Sequence, residues 1–574
     1  MRGSVRVVGV LTAVGVVCAA GVAGFGRAAG AGPSGRVESA VTGSTSGDGV
    51  RESYVSVSAP LPASAGAHPA VCDRLGYLRV RTSGGPEDPA RADTVFVTMP
   101  GILAGSGSLE PTARNIVRAA AEGGRHVEVW AMDRRSNCLE DHRGLAVGAA
   151  QNNPALAFDY YFGARVVNGH RYQPATAIDT AFLRHVGLAQ TLQDYRTILG
   201  LLPDSVRRSK VMCGGHSLGG LITGALADWD FDGTPGYSLC AGFFTLDSRL
   251  KMQLVGPLTA PLTNGLAQLQ RLLPITLPTS VSDLLGTALP YINIAPLTPE
   301  TLTMAEVFSQ AAAIAPEEPS TLLARVPHDV NFELLTRLLA ARDPIGFALG
   351  QPDVRRIHAT YAAALGLVID DNTEPIGILR ASLGALTGGP VVRKNFPLPY
   401  GTPLDPLALL GGDKLVSPAA PNTLYRWHDY NALTPADTRT ADGDAYTNPS
   451  SEVTDLHQFA ATYSAPVADG TEWYFPTRLL TDVLTANLGN RQGDLHNLRY
   501  DNGITQRPTI NLDAGDTGFG PAIDPTNQGP GTIVVLPGYN HLDVGTAAWY
   551  QNNNQPEPLS HTLVNFAAQH LHGR

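Results

Sequence analysis

Charge is sparse in this chain. Only 16% of its 574 residues are Asp, Glu, Lys or Arg, against roughly a quarter in an average soluble domain, and the formal net charge is −10. No block of Lys and Arg interrupts that balance, so the surface is not built to neutralise phosphates and nucleic acid is excluded as a partner class. Cysteine is scarce too: five residues, with no Cys-x-x-Cys pair and no Cys/His cluster of the kind that suggests zinc. No internal repeat recurs, which excludes solenoids and propellers. No cofactor and no metal are expected.

Apolar residues make up 43% of the sequence, enough for a large core, and the length points to more than one unit. The first residues read as a targeting segment. Arg2 and Arg6 precede an uncharged Val/Ala/Gly-rich stretch over residues 7–26, and Ala29-Gly30-Ala31 offers a small-residue cleavage site. Residues 1–31 are therefore expected to be a signal peptide and the protein to be exported, with a signal anchor as the alternative that the many glycines disfavour. Val17 before Cys18 is too bulky for a lipid-attachment site. Residues 32–75, rich in Ala, Gly and Ser, read as a flexible linker. Export permits disulfides. Cys72, Cys138, Cys213 and Cys240 allow three full pairings; Cys72 and Cys138 lie in loop-like sequence and are the favoured pair, while Cys213 reads as a buried thiol or a core-facing partner.

From residue 76 strands alternate with helices. Residues 76–81, 94–99, 126–132, 209–214 and 241–246 have strand patterns, and residues 110–122 and 188–202 have apolar positions at helical spacing. This alternation implies an α/β fold, a doubly wound and mostly parallel sheet with sites at the carboxyl ends of its strands. The pattern then stops. Residues 251–504 show amphipathic helices (266–273, 304–314, 332–341, 354–365 and 478–488) without regular strands. Strand patterns return at 509–512 and 532–536, and a helix over 563–571 closes the chain. The expected organisation is a sheet domain over 76–250 and 505–574, interrupted by a helical insertion.

The most specific motif is Gly215-His216-Ser217-Leu218-Gly219. An apolar strand enters it and a small-residue helix leaves it, the setting of a nucleophile elbow with Ser217 at its tip. A serine hydroxyl needs a base to take its proton and a third group to orient that base. His541, between the last strand and the last helix, is placed to be the base, whereas His216 is expected to point elsewhere. The acid belongs on the loop after the penultimate strand, where Asp516 has the freer reach; Asp513 and, after the strand beyond the elbow, Asp247 are alternatives. Oxyanion donors are expected from the backbone N–H of Leu218 and from the loop after residues 94–99, Ile102 first and Leu103 next.

These features together resemble the α/β-hydrolase family: the order Ser217, Asp516, His541, the elbow, the Pro100-Gly101 loop and an insertion between serine and acid. The resemblance covers about residues 76–250 and 505–574. It implies a secreted serine hydrolase of the esterase or lipase type, with a cap inserted after Asp247 that is larger than most in the family. Residues 253–325 hold 15 Leu and seven charged residues, which fits a lid over an apolar acyl chain as well as an ordinary helical core. A small-molecule or lipid ester is the implied partner, with peripheral contact to a membrane or cell envelope in keeping with that substrate. Acyl transfer to a cell-envelope acceptor shares the same triad and is the alternative, followed by peptidase activity and by a non-catalytic binding protein, which the intact Ser217 and His541 disfavour. Two further segments stand out. Asp228-Trp229-Asp230-Phe231-Asp232-Gly233 matches half of a calcium loop, but Leu239 replaces the glutamate such a loop requires, so an acidic turn is expected. The charged residues 133–142 are expected to form a solvated loop held by internal ion pairs.

Overall fold

The computed structural model describes residues 35–41, 49–248, 288–396, 415–420, 422–487, 491–516, 531–552 and 554–571. The expected signal peptide and the helix at 266–273 lie outside these residues. Among them, nine strands form one sheet: β1 (Val37–Ala40), β2 (Val50–Ser58), β3 (Arg74–Thr82), β4 (Thr94–Met99), β5 (Val127–Met132), β6 (Val211–His216), β7 (Gly242–Leu246), β8 (Thr509–Ala514) and β9 (Thr532–Leu536). Their spatial order is β1-β2-β3-β5-β4-β6-β7-β8-β9. The edge from β1 to β3 is antiparallel, β3 is antiparallel to β5, and every pairing from β5 to β9 is parallel.

Residues 37–40 and 50–58 correct the expected linker. They are strands that widen the sheet, and β2 pairs with β3 from Val50↔Thr82 to Ser58↔Arg74. β2 contributes to both faces of the sheet, with Val55 and Val57 in one core and Val50 in the other, while Arg51 and Ser58 are exposed. Serines between a few valines therefore suffice where composition alone suggested a tether.

The parallel strands are buried along their length, and their alternate residues serve two cores. Phe96, Met212 and Phe244 face α1 (Glu110–Glu122), which supplies Ile116, Val117 and Ala120 to that core, together with the closing helix at Pro558–Leu571. Val95, Val97, Cys213 and Phe243 face α2 (Leu188–Leu199), which carries Leu192, Tyr195 and Ile198, and α3 (Leu218–Asp228), which carries Ile222 and Leu226. Helices on both faces make the sheet doubly wound. Two disulfides, Cys72–Cys138 and Cys213–Cys240, are formed; the second fastens β6 to the segment that leads into β7.

Between β7 and β8 the described residues add no strand to the sheet. α4 (Pro299–Ile314), α5 (Tyr361–Ile369) and α6 (Leu456–Tyr463) pack in a third core with Phe158, Tyr161 and Phe182. Two differences from the sequence reading appear here. The helix expected over 354–365 is divided, because the Thr360 side chain caps a new helix by accepting from the N–H of Ala363. Two antiparallel strand pairs, Gly384–Thr387 with Arg426–Asp429 and Val391–Arg393 with Val416–Pro418, interrupt the helices. Strands of three or four residues are too short for alternation to register.

Candidate active site

Ser217 sits between β6 and α3 with φ of +53° and ψ of −122°, a backbone conformation that L side chains rarely adopt and that structures hold at functional turns. Its N–H donates to the Leu246 carbonyl at 3.1 Å, and Ser248 Oγ donates to the Ser217 carbonyl. The flanking glycines are required by contact. A Cβ on Gly215 would lie 2.3 Å from the carbonyl carbon of Gly219, and one on Gly219 would lie 2.1 Å from the Met99 oxygen. The Gly-x-Ser-x-Gly pattern thus lets α3 lie against the ends of β6 and β4.

His541 lies on the loop after β9, buried, with Nδ1 at 2.5 Å from Oδ2 of Asp247. Asp247 is buried at the end of β7 and has φ of +42°. Its other carboxylate oxygen accepts from the N–H of Ala514 at 3.1 Å, so the turn leans across the end of β8 towards the His541 loop. The expected acid, Asp516, does not occupy this place. It is exposed, and its backbone N–H is spent on the Tyr539 carbonyl at 2.9 Å. Asp513 is a residue of β8 itself, in register with Val535. An imidazole has a single Nδ1, and Asp247 holds it.

His216 was expected to point away from the chemistry. Instead its ring centroid is 4.6 Å from that of His541, and its Nε2 lies 2.9 Å from the His541 carbonyl. A carbonyl only accepts, so Nε2 of His216 carries the proton and donates it. Burial, reinforced by His541 alongside, holds the His216 pKa well below the usual histidine range. His216 is therefore a neutral donor that fixes the backbone of His541.

The loop after β4 completes the group. Gly101 touches the elbow closely: a Cβ there would be 3.1 Å from both Ser217 Cβ and His216 Nδ1. Leu103 has φ of +58°. Residues 101–104, Ser217, His216 and His541 line a cavity of about 100 Å³, walled mainly by apolar side chains including Leu302, Ala305, Ile369, Phe459 and Leu542. The N–H of Leu218 belongs to the first turn of α3 and has no partner within the helix, and Ile102 lines the cavity together with Ser217.

The charged segment 133–142 also departs from expectation. Asp133, Arg134 and Arg135 are buried, not solvated. Arg135 pairs with Asp194, and Arg134 reaches Glu472 and the carbonyls of the 100–104 loop. Nothing in the local sequence marks Glu472 except its position before an aromatic run, Trp473-Tyr474-Phe475. In the half calcium loop, Asp228 accepts from the N–H of Gly503, and Asp230 accepts from the N–H of Gly233 and pairs with Arg499.

No family model and no curated protein matches the sequence. Solved structures match it at low identity and low TM-score. A candidate lipase from Sulfolobus solfataricus is 14% identical over 91% of this chain and 96% of its own, with a TM-score of 0.38. A peroxisomal alpha-beta-hydrolase from Saccharomyces cerevisiae is 11% identical over 91% of each chain, with a TM-score of 0.30. A loop variant of a haloalkane dehalogenase from Bradyrhizobium elkanii is 10% identical over 88% of this chain and 96% of its own, with a TM-score of 0.29. By its own strand order, its Ser217 elbow and the His541 loop after the last strand, the chain has the α/β-hydrolase fold.

Proposed function

We propose that this chain is a secreted serine hydrolase that cleaves carboxylic esters carrying an apolar acyl group. The observation that carries the reading is the buried Asp247–His541 pair, whose histidine lines the same cavity as Ser217 at the elbow. With Nδ1–H directed to Asp247, Nε2 of His541 is the nitrogen left to act as base. Ser217 Oγ attacks the ester carbonyl as its proton passes to Nε2, and the oxyanion forms against the N–H groups of Leu218 and Ile102. The proton then goes to the departing alkoxide, leaving an acyl-serine. Water, deprotonated by the same nitrogen, releases the acid and restores Ser217.

The apolar wall supports an apolar acyl group. Space of about 100 Å³ is below the roughly 300–1,000 Å³ of a pocket that encloses a drug-sized ligand, so longer chains require the wall to move. The leucine-rich stretch containing Leu269 and Leu273 lies outside the described residues. Export is supported by the basic, then apolar, N-terminal sequence and by two disulfides, which suit an oxidising compartment.

The test is a chain-length series of p-nitrophenyl esters. Octanoate should exceed acetate in kcat/KM, since each buried methylene contributes about 0.8 kcal/mol. Ser217→Ala should remove at least about a thousandfold of the activity. A flat series contradicts the apolar acyl site, and turnover that survives Ser217→Ala contradicts the reaction. Polar replacement of Leu269 and Leu273 should flatten the series while sparing acetate.

A further inference from the structure

Arg134 lies two residues past the end of β5 and is buried, yet it contacts neither the cavity nor solvent to any extent. Its guanidinium donates to three carbonyls of the loop beside Ser217: Pro100 at 2.8 Å, Gly101 at 2.5 Å and Ala104 at 2.8 Å. Glu472, fully buried, accepts from Nε of Arg134 at 2.7 Å and from Nη2 through the same oxygen. Its other oxygen accepts from Ser136 Oγ, and its backbone N–H donates to the Leu103 carbonyl at 2.9 Å. Neighbouring residues extend the contact: Gly105 donates to Gly470 and Gly107 to Asp469. Residues 469–472, from the segment between β7 and β8, thus run along the loop, with Ala104 bridged to Thr471 and with Gly470 and Thr471 lining the same cavity.

The direction of these bonds matters. In a trans peptide the N–H points opposite to the preceding carbonyl. With the Gly101 carbonyl drawn to Arg134, the N–H of Ile102 is turned away from Arg134. Left-handed Leu103 then brings the chain back, so that its carbonyl meets Glu472. Burying a guanidinium and a carboxylate is unfavourable unless both are fully bonded, and here the bonding is spent on the loop's backbone.

We propose that Arg134 and Glu472 are a positioning pair, which sets the Ile102 N–H as an oxyanion donor and makes the site's completion depend on residues 469–472. The inference rests on the serine-hydrolase reading above. Neither side chain touches substrate; both act through the 100–104 backbone.

The experiment uses the full chain with Arg134→Ala, Arg134→Lys, Glu472→Gln and Glu472→Asp, assayed well below their melting temperatures. Losing one oxyanion donor lowers kcat by about a hundredfold to a thousandfold, and Arg134→Ala should approach that with KM changed by less than about threefold. The Ki of a phenylboronic acid, whose serine adduct is a tetrahedral boronate with an oxygen in the oxyanion position, should rise by a similar factor. Added guanidinium should restore part of the kcat of Arg134→Ala, and Arg134→Lys should retain more than Arg134→Ala. Should Arg134→Ala not fold, Glu472→Gln gives the same split between kcat and KM. Folded variants with unchanged kcat, or with kcat lowered while boronate affinity stays the same, overturn the positioning role. Absence of ester turnover and of Ser217 labelling in the unmodified protein would instead overturn the reading on which it rests.

Discussion

Asp247 and His541, 294 residues apart, meet through a 2.5 Å contact between a carboxylate oxygen and Nδ1, both side chains buried. The acid stands at the end of the strand next to the elbow strand, and a left-handed turn aims it over the end of β8. Asp247→Asn should lower kcat/KM for ester hydrolysis by about a thousandfold to ten-thousandfold, because the amide favours the wrong imidazole tautomer and loses the charge that stabilises imidazolium. Asp516→Asn and Asp513→Asn should stay within about tenfold of the unmodified protein. A crippled Asp516→Asn beside an active Asp247→Asn would move the acid to the other strand. Steady-state kinetics of the three variants decide it.

His216→Phe keeps a ring of similar shape but removes the donor to the His541 carbonyl. Misplacing a catalytic group by a fraction of an ångström is enough for a loss of about tenfold to a hundredfold in kcat, and KM should change little. Stability should respond in the opposite sense at acid pH. The folded chain holds His216 well below its usual pKa, so the unfolded chain takes up a proton that the fold refuses. That contribution is present above about pH 6.5 and is lost as pH falls further. Thermal melts from pH 7.5 to 5 should show a smaller decline for His216→Phe than for the unmodified protein.

Glu374 lines the cavity and is buried, which pushes its carboxyl up to about 7 against the pull of Arg380 and Lys394. For a carboxyl raised above its unfolded value, the stabilising contribution is complete below about pH 4.5 and is lost as pH rises through 7. Glu374→Gln still accepts from the N–H of Ile376, as Glu374 Oε1 does at 2.6 Å, and it carries no charge to desolvate. It should match the unmodified protein near pH 4.5 and be more stable at pH 8, by on the order of 2 kcal/mol. Denaturant unfolding at the two pH values checks the sign.

Cys213–Cys240 closes a span of 27 residues that includes the elbow and α3. Cys240→Ser should reduce stability by about 2–4 kcal/mol. The loss should appear in the unmodified protein on reduction and be absent when Cys240→Ser is reduced in the same way while Cys72–Cys138 is kept.

Which features the sequence reveals follows the range over which each is specified. The elbow is local: an apolar strand, two glycines around Ser217 and a small-residue helix lie within about twenty residues, and each is required by a contact visible in the fold. The His541 loop is readable because strand and helix patterns bracket it. The acid is not, since Asp247, Asp513 and Asp516 all stand at or near the ends of core strands. The choice among them depends on one turn's φ and on which strand lies beside which. The strands at 37–40 and 50–58 are hidden because their buried apolar residues are few, Val50, Val55 and Val57, and are spread among Ser, Arg and Glu. Arg134 and Glu472 are separated by 338 positions, and a charge just past the end of a buried strand gives no sign of the partner that permits it.

The most direct measurement of the central claim is active-site labelling of the full chain by a fluorophosphonate, read by intact mass and peptide mapping. Ser217 should be modified at one equivalent per chain, with no modification in Ser217→Ala and strongly slowed modification in Asp247→Asn. A chain that resists the reagent, or one labelled equally well after Ser217→Ala, would contradict the assignment of Ser217 as a nucleophile activated by His541 and Asp247.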